Sequence, residues 1–194
     1  MARHCAGEPV TLMAKSKNRL VWIDCEMTGL EPERHVLLEI ATIITDDQLE
    51  IVEEGPVIAV HQSDAVLRRM DSWCRRQHKK SGLTDRVRAS RVSTSAAEME
   101  TLKFVRRHCL IRQAPVCGNS IGHDRKFLNK YMPKLHSYFH YQSIDVSSIK
   151  QVVARWYGKR YKAPEKAEQH LALPDIKESI EELKFYRKHV FVKK

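Results

Sequence analysis

Asp24 and Glu26 stand two residues apart in the run Asp24-Cys25-Glu26. In an extended segment, side chains at i and i+2 point the same way, so both carboxylates face one side and Cys25 the other. Two like charges side by side are costly unless a cation joins them, and oxygen-rich clusters favour Mg²⁺ or Mn²⁺. The same tripeptide also fits a solvated strand end whose acids pair with Arg or Lys. Asp124 closes the run Cys117-Gly118-Asn119-Ser120-Ile121-Gly122-His123-Asp124. Its glycines permit tight turns, and N–H groups at the start of a following helix suit a phosphate. Alternatively, Asp124 is only a helix cap with a favourable dipole contact. His170 and Asp175 lie five apart near the start of the last expected helix, a spacing that gathers both side chains if the segment is helical. A neutral histidine beside a metal cluster can take a proton from water. A surface histidine and a helix-start aspartate fit the same residues.

These groups need elements to carry them. Leu20 to Cys25 reads as a buried strand with few polar interruptions. Leu37 to Thr45 is a second, rich in β-branched residues. Glu50 to Val60 is a third, with Gly55-Pro56 marking a bulge or an edge. Short connections between them imply an antiparallel meander. Helical spacing follows over Asp64 to Lys79, with Ser63 as cap, and over Ala96 to Cys109, with Met99, Leu102, Phe104 and Val105 as core positions. Pro115 to Gly118 and Ser143 to Val146 are short strands. Asp124 to Tyr131 is a helix that Pro133 stops. Ser147 caps a helix running to Trp156, Tyr157 to Ala167 is a basic loop, and a last helix runs from about Pro174 to His189. That helix turns Ile176, Ile180, Leu183 and Phe185 inward. Strands first, then alternating helix and strand, predict an α/β fold whose mixed sheet, antiparallel then parallel, is flanked by helices. Active sites in such sheets gather at strand carboxyl ends.

The 194 residues suit one domain and can bury a core without disulfides. With 42% hydrophobic and 30% charged residues, the composition argues against disorder of the whole chain. Residues 1–18 read as a flexible extension and residues 19–194 as the catalytic domain. The net charge of +10 favours a polyanionic partner. Five cysteines, an odd number with no C-x-x-C, argue against a disulfide framework or zinc knuckle and for a reducing compartment. No stretch offers the roughly 18 apolar residues of a membrane span.

The combination and order of these motifs resembles the DEDD exonuclease superfamily in its histidine-bearing branch, and within it the oligoribonuclease family. Asp-x-Glu ends the first strand, Asp follows a later strand, and His-x4-Asp stands at a terminal helix. The likeness is carried further by Val21 to Leu30, Ala59 to Ser63, Cys117 to Gly122, Lys130-Tyr131-Met132-Pro133 and His140-Tyr141, and it runs from about Arg19 to His189. It implies a ribonuclease H-like fold and a 3′-to-5′ exoribonuclease that degrades RNA of about two to five residues to nucleoside 5′-monophosphates. Asp24, Glu26, Asp124 and Asp175 would hold two divalent cations, Mg²⁺ or Mn²⁺, with His170 as general base. Leu30 would wedge between bases and Trp73 stack near one, although both also fit a core. Ser120, Ser147 and His78 match positions around the substrate phosphates. Tyr141 matches a residue that reaches in from a second subunit, which implies a homodimer. A bacterial cytoplasm is the expected compartment, with mitochondria as the alternative.

Three residues depart from the family pattern. Gln142 stands where an Arg is usual after the His-Tyr pair, and a neutral amide makes no charge-assisted bond to phosphate. Pro174 replaces an Asp beside the metal ligand and would disturb a helix already begun at His170. Leu171 replaces a polar or basic residue. Rival readings are a tRNA-end trimmer or DNA-proofreading subunit of the same superfamily, and a catalytically idle RNA-binding module.

Overall fold

The computed structural model describes residues 15–164 and 171–191. Its centre is a five-stranded sheet in the order β3-β2-β1-β4-β5. The strands are β1 (Leu20–Met27), β2 (Leu37–Thr45), β3 (Ile51–Ala59), β4 (Val116–Gly118) and β5 (Ser143–Asp145). The first three form the expected antiparallel meander. β4 runs parallel to β1, and β5 parallel to β4. The helices are α1 (Asp64–Leu67), α2 (Ser72–Lys80), α3 (Leu83–Ala89), α4 (Thr94–His108), α5 (Gly122–Tyr131), α6 (Pro133–Tyr138), α7 (Val146–Tyr157) and α8 (Ala172–His189).

Every residue of β2 is buried, because apolar cores lie on both faces of the sheet. One core joins Val21, Ile23 and Cys25 of β1 to Phe104 and Val105 of α4 and to Phe127 and Leu128 of α5. The other joins Trp22 and Ile43 to Val153 of α7 and to Ile176, Ile180 and Tyr186 of α8. Alternation along β1 decides which side each residue serves. Asp24 and Glu26 therefore share the face of Trp22, over which α8 packs. Trp22 is fully buried, and its indole N–H donates to Thr45 Oγ1 at 3.0 Å.

Several elements differ from the sequence expectations. The helix expected over Asp64 to Lys79 is two helices. Asp71 accepts from Cys74 N at 2.8 Å and starts α2, while the Arg75 guanidinium donates to the carbonyls of Arg68 and Met70 left open behind α1. Pro133 does end α5, but it also opens α6 from its first turn. Met99 is exposed rather than in the core, and Phe185 is half-buried at the margin of its cluster. A 3₁₀ turn, Gly158–Tyr161, occupies part of the expected basic loop. Helix α8 begins at Ala172, so Pro174 sits in the first turn, where no backbone donor is required of it. Ser16, within the segment read as an extension, donates its N–H to His108 O at 3.0 Å.

The reading of Gly55-Pro56 is met in both its forms. β3 is an edge strand, and its register against β2 shifts between the pairs Ala41↔Val57 and Ile43↔Glu54. A Cβ built on Gly55 would lie 2.5 Å from the buried Phe104 ring, so glycine here lets α4 press onto the sheet. Gly55→Ala must displace that ring or the strand, and overpacking of this kind costs about 1–3 kcal/mol. Urea unfolding should report the loss; an unchanged midpoint would mean that the ring moves aside without cost.

Candidate active site

Asp24 and Glu26 project from the carboxyl-terminal half of β1, and Asp175 lies in the first turn of α8. Carboxylate oxygens from these three residues lie within 4.8 Å of one another. Asp124 enters from the other side. Because β4 pairs with β1 only at Val21 and Trp22, the edge of β1 is open further along, and Asp124 Oδ1 accepts there from Cys25 N at 2.9 Å. Asp124 lies inside α5 and does not cap it, since the residue before that helix, Ile121, makes no side-chain cap. The strand thus carries two acids on one face, α8 brings a third over that face, and α5 fixes a fourth at the edge.

Their electrostatics follow from crowding and burial. Burial raises Asp24 well above the ordinary carboxyl range, and the charges of Asp124, Glu26 and Asp175 add to the rise. Glu26 is pushed up to about 8, first by burial and then by Asp175 and Glu39. The guanidinium of Arg86, paired with the buried Glu39 that stands opposite Glu26 in the sheet, works against that rise. Asp124 is raised to about 7 by burial, opposed by its hydrogen bond from Cys25 N. Half-buried oxygen donors that disfavour their own ionised forms fit hard divalent cations, which offset the repulsion.

The other expected residues differ in burial and in their contacts. Leu30 follows β1 and is 62% exposed; Trp73, at the start of α2, is 51% exposed. Neither is in a core. His78 is buried, with Nε2 2.9 Å from Met27 O and Nδ1 3.9 Å from Glu26 Oε2, so it stands against a cluster carboxylate. Ser120 and Ser147 are joined, Oγ to Oγ, at 3.1 Å. The N–H of Ser120 already donates to Asp145 Oδ1 and Ser147 Oγ, both at 3.0 Å, and so is not offered to a phosphate. Tyr141 is 80% exposed. His170 lies outside the described residues.

Other groups emerge only in three dimensions. Ser147 Oγ donates to Asn119 Oδ1, and Asn119 Nδ2 donates to Ser179 Oγ at 2.7 Å and to the buried Glu182 at 3.2 Å. Ser179 Oγ in turn donates to the carbonyl of Asp175 at 2.8 Å. Lys150 pairs with Glu182 at 2.9 Å. This chain fastens the loop after β4 to the turn that presents Asp175. Arg125, next to Asp124, donates through Nη1 to the carbonyls of His140 and Tyr141 and to Ser143 Oγ. It shapes the segment that displays Tyr141. The Cys-Gly-Asn-Ser run was the one visible signal for Asn119; nothing local marks Glu182 or Arg125.

A family model described as exonuclease, RNase T, matches residues 21–183. An oligoribonuclease of Marinobacter nauticus is 54% identical over 174 residues, covering 90% of this chain and 97% of that protein. One of Vibrio cholerae is 53% identical over 179 residues, 92% of this chain and 99% of the relative. Among solved structures, the zinc-bound complex of E. coli exonuclease I with single-stranded DNA superposes with a TM-score of 0.70. It is 14% identical and is matched over 90% of this chain but 41% of its own, a likeness of fold alone. That fold is the ribonuclease H-like mixed sheet expected from the sequence.

The raised carboxyl groups set a pH dependence. A carboxyl whose pKa is higher folded than unfolded contributes stability below its unfolded value and loses it as pH rises through the folded one. For Glu26 that window runs from 4.5 to about 8. The metal-free protein should therefore show a thermal midpoint that falls as pH rises across this window, and added Mg²⁺ should raise the midpoint more at its top than at its bottom. Asp24→Asn, by removing one charge, should flatten the fall. A midpoint that climbs with pH in chelator would contradict the electrostatic reading.

Proposed function

The chain belongs to the oligoribonuclease family of exonucleases, and from that premise we propose that Asp24, Glu26, Asp124 and Asp175 hold two divalent cations, Mg²⁺ or Mn²⁺, for the hydrolysis of short RNA. The activity is that of a 3′-to-5′ exoribonuclease on short oligoribonucleotides. The observation that carries the site assignment is the approach of three carboxylates from β1 and α8 to within 4.8 Å, beside a fourth on α5.

Divalent cations in such a cluster polarise a phosphodiester and offset charge on the attacking and leaving oxygens. The chain's own residues do the rest. Asp24 and Glu26, fixed on a strand with a core on each side, set the line of attack on the terminal phosphate. His170, outside the described residues, accepts the proton of the attacking water. The water oxygen bonds to phosphorus, the bond from phosphorus to the 3′ oxygen of the preceding nucleotide breaks, that oxygen takes up a proton from solvent, and the terminal nucleoside 5′-monophosphate is released. Leu30, just after β1, and Trp73, at the start of α2, are both exposed and offer apolar surface to the bases, and one base stacked on an aromatic ring is worth about 1–3 kcal/mol. Ser120, Ser147 and His78 border the phosphates.

The terminus of the substrate is capped by a second copy of the chain. Support comes from Tyr141, which Arg125 holds in a fully displayed position. With Gln142 in place of the usual Arg, the cap relies on neutral donors, which makes length selection softer. Cytoplasmic residence agrees with four described cysteines, Cys25, Cys74, Cys109 and Cys117, that are buried and unpaired with one another. Among the described residues, no helix is long and apolar enough to cross a membrane.

Two measurements test this reading. His170→Ala should reduce the turnover rate about 10²–10⁴-fold, as loss of a positioned base does, with substrate affinity much less changed; collapse of binding with an intact rate would make His170 a binding residue. Timed digestion of RNAs of increasing length in Mg²⁺ or Mn²⁺ should favour those of about two to five residues, and Gln142→Arg should sharpen that preference. Equal use of a dinucleotide and a strand of about 20 nucleotides, longer than a typical single-strand site, would replace the capped pocket with an open groove.

A further inference from the structure

The Lys130-Tyr131-Met132-Pro133 run marks the end of α5 and has no part in the site as described so far. Its first two side chains reach back across the chain to the loop that displays Leu30. Tyr131 Oη lies 2.9 Å from the carbonyl oxygen of Pro32 and 2.7 Å from that of His35, both of which accept from it. A hydroxyl has one proton, so the two carbonyls share it. Lys130 Nζ donates to the same Pro32 carbonyl at 2.8 Å and to Glu33 Oε2 at 2.6 Å.

The loop itself is a closed unit. Thr28 and Val36 seal its base, Thr28 N donating to Val36 O and Val36 N to Thr28 Oγ1, both at 3.0 Å. Inside, Glu31 N donates to His35 Nδ1 at 3.0 Å, and His35 N to Glu31 O at 2.8 Å. The imidazole covers Gly29 so closely that a Cβ there would lie 2.6 Å from the ring. Leu30, between Gly29 and Glu31, is exposed together with the charged Glu31, Glu33 and Arg34, and is the apolar side chain that the loop offers to solvent. Sealed within itself, the loop still needs a fixed bearing relative to the carboxylates, and α5 supplies it. That helix is anchored by the fully buried Phe127 and Leu128. It carries Asp124 in its first turn and Tyr131 at its last residue, about 10 Å further along the axis at 1.5 Å per residue.

We propose that Tyr131, assisted by Lys130, is a specificity-determining positioning residue that locks the Leu30 loop at a set distance from the metal-binding carboxylates, so that the base of a short RNA is gripped in register with its scissile phosphate. The inference rests on the reading of Leu30 as a base-contacting residue. Tyr131 touches no substrate; it acts through the carbonyls of Pro32 and His35. Its loss frees the loop to rotate about the Thr28–Val36 base. The effect falls on recognition of bases and spares the carboxylate cluster.

A double-mutant cycle of Tyr131→Phe and Leu30→Ala decides it, with thermal midpoints recorded for each protein. The substrates are 5′-phosphorylated diadenylate and bis(p-nitrophenyl) phosphate, a diester without bases. Tyr131→Phe should lower the preference for diadenylate over the base-free diester about tenfold, the scale of one lost base contact, and do so through KM rather than kcat. Leu30→Ala should lower it at least as much, and the double variant no further than Leu30→Ala, because residues acting through one contact are not additive. Lys130→Gln, which leaves the Tyr131 hydroxyl in place, should shift the preference in the same direction by less, and it carries the test if Tyr131→Phe proves unstable. An unchanged preference in Tyr131→Phe beside a strong effect of Leu30→Ala overturns the proposal and leaves the function intact. No effect of Leu30→Ala overturns the reading of Leu30 and the proposal with it. Equal losses on both substrates, or additive losses in the double variant, assign the hydroxyl a general structural role instead.

Discussion

The carboxylates of Asp24, Glu26 and Asp175 repel one another, and the folded chain holds them together against that repulsion. Like charges at such separations, partly out of water, raise their own pKa values and weaken the fold that contains them. The compensation comes from elsewhere. Two apolar cores, one on each face of the sheet, clamp β1 between α4 and α5 on one side and α7 and α8 on the other. β1 cannot turn to separate its two acids without exposing Trp22 or Ile23. The sheet therefore holds the three acids together at a cost in stability.

This constraint explains why so much was legible in the sequence. A strand that must be buried on both faces reads as a nearly continuous apolar run, and β1 and β2 stood out for that reason. The two acids inside such a run conflict with burial, and a conflict of that kind marks function. The other two acids were readable by order along the chain and by resemblance, since Asp124 and Asp175 alone look like ordinary helix-start acids. Hidden features were those whose signal lies far away in sequence. The start of α6 is capped by Glu98 of α4, whose Oε1 accepts from Lys134 N and Leu135 N at 2.6 and 3.2 Å. No residue beside Pro133 could announce that. The break between α1 and α2 likewise depends on Arg75 reaching back to two carbonyls.

Supporting contacts in this molecule share a form. Side chains rooted in helices grip the backbone carbonyls of loops: Arg125 at His140 and Tyr141, Tyr131 at Pro32 and His35, Ser179 at Asp175. Gripping backbone rather than side chains fixes where a loop runs while leaving its outward residues open to change. The departure at Gln142 illustrates this. Arg125 approaches the carbonyl of residue 142 at 3.3 Å, a contact indifferent to the side chain there. The loop keeps its path although its chemistry has altered.

The acidic cluster draws its members from the first strand and the last helix of the described chain. Contacts between such remote segments form late and slow folding, because the intervening chain must be closed into a loop first. On the ribosome, β1, β2 and β3 emerge and can pair while α8 is still unmade. During that interval Asp24 and Glu26 lack the helix that brings Asp175 to them. The architecture thereby imposes an order on assembly: a nascent chain has the sheet before it has the three-carboxylate cluster, which is complete only once α8 has docked.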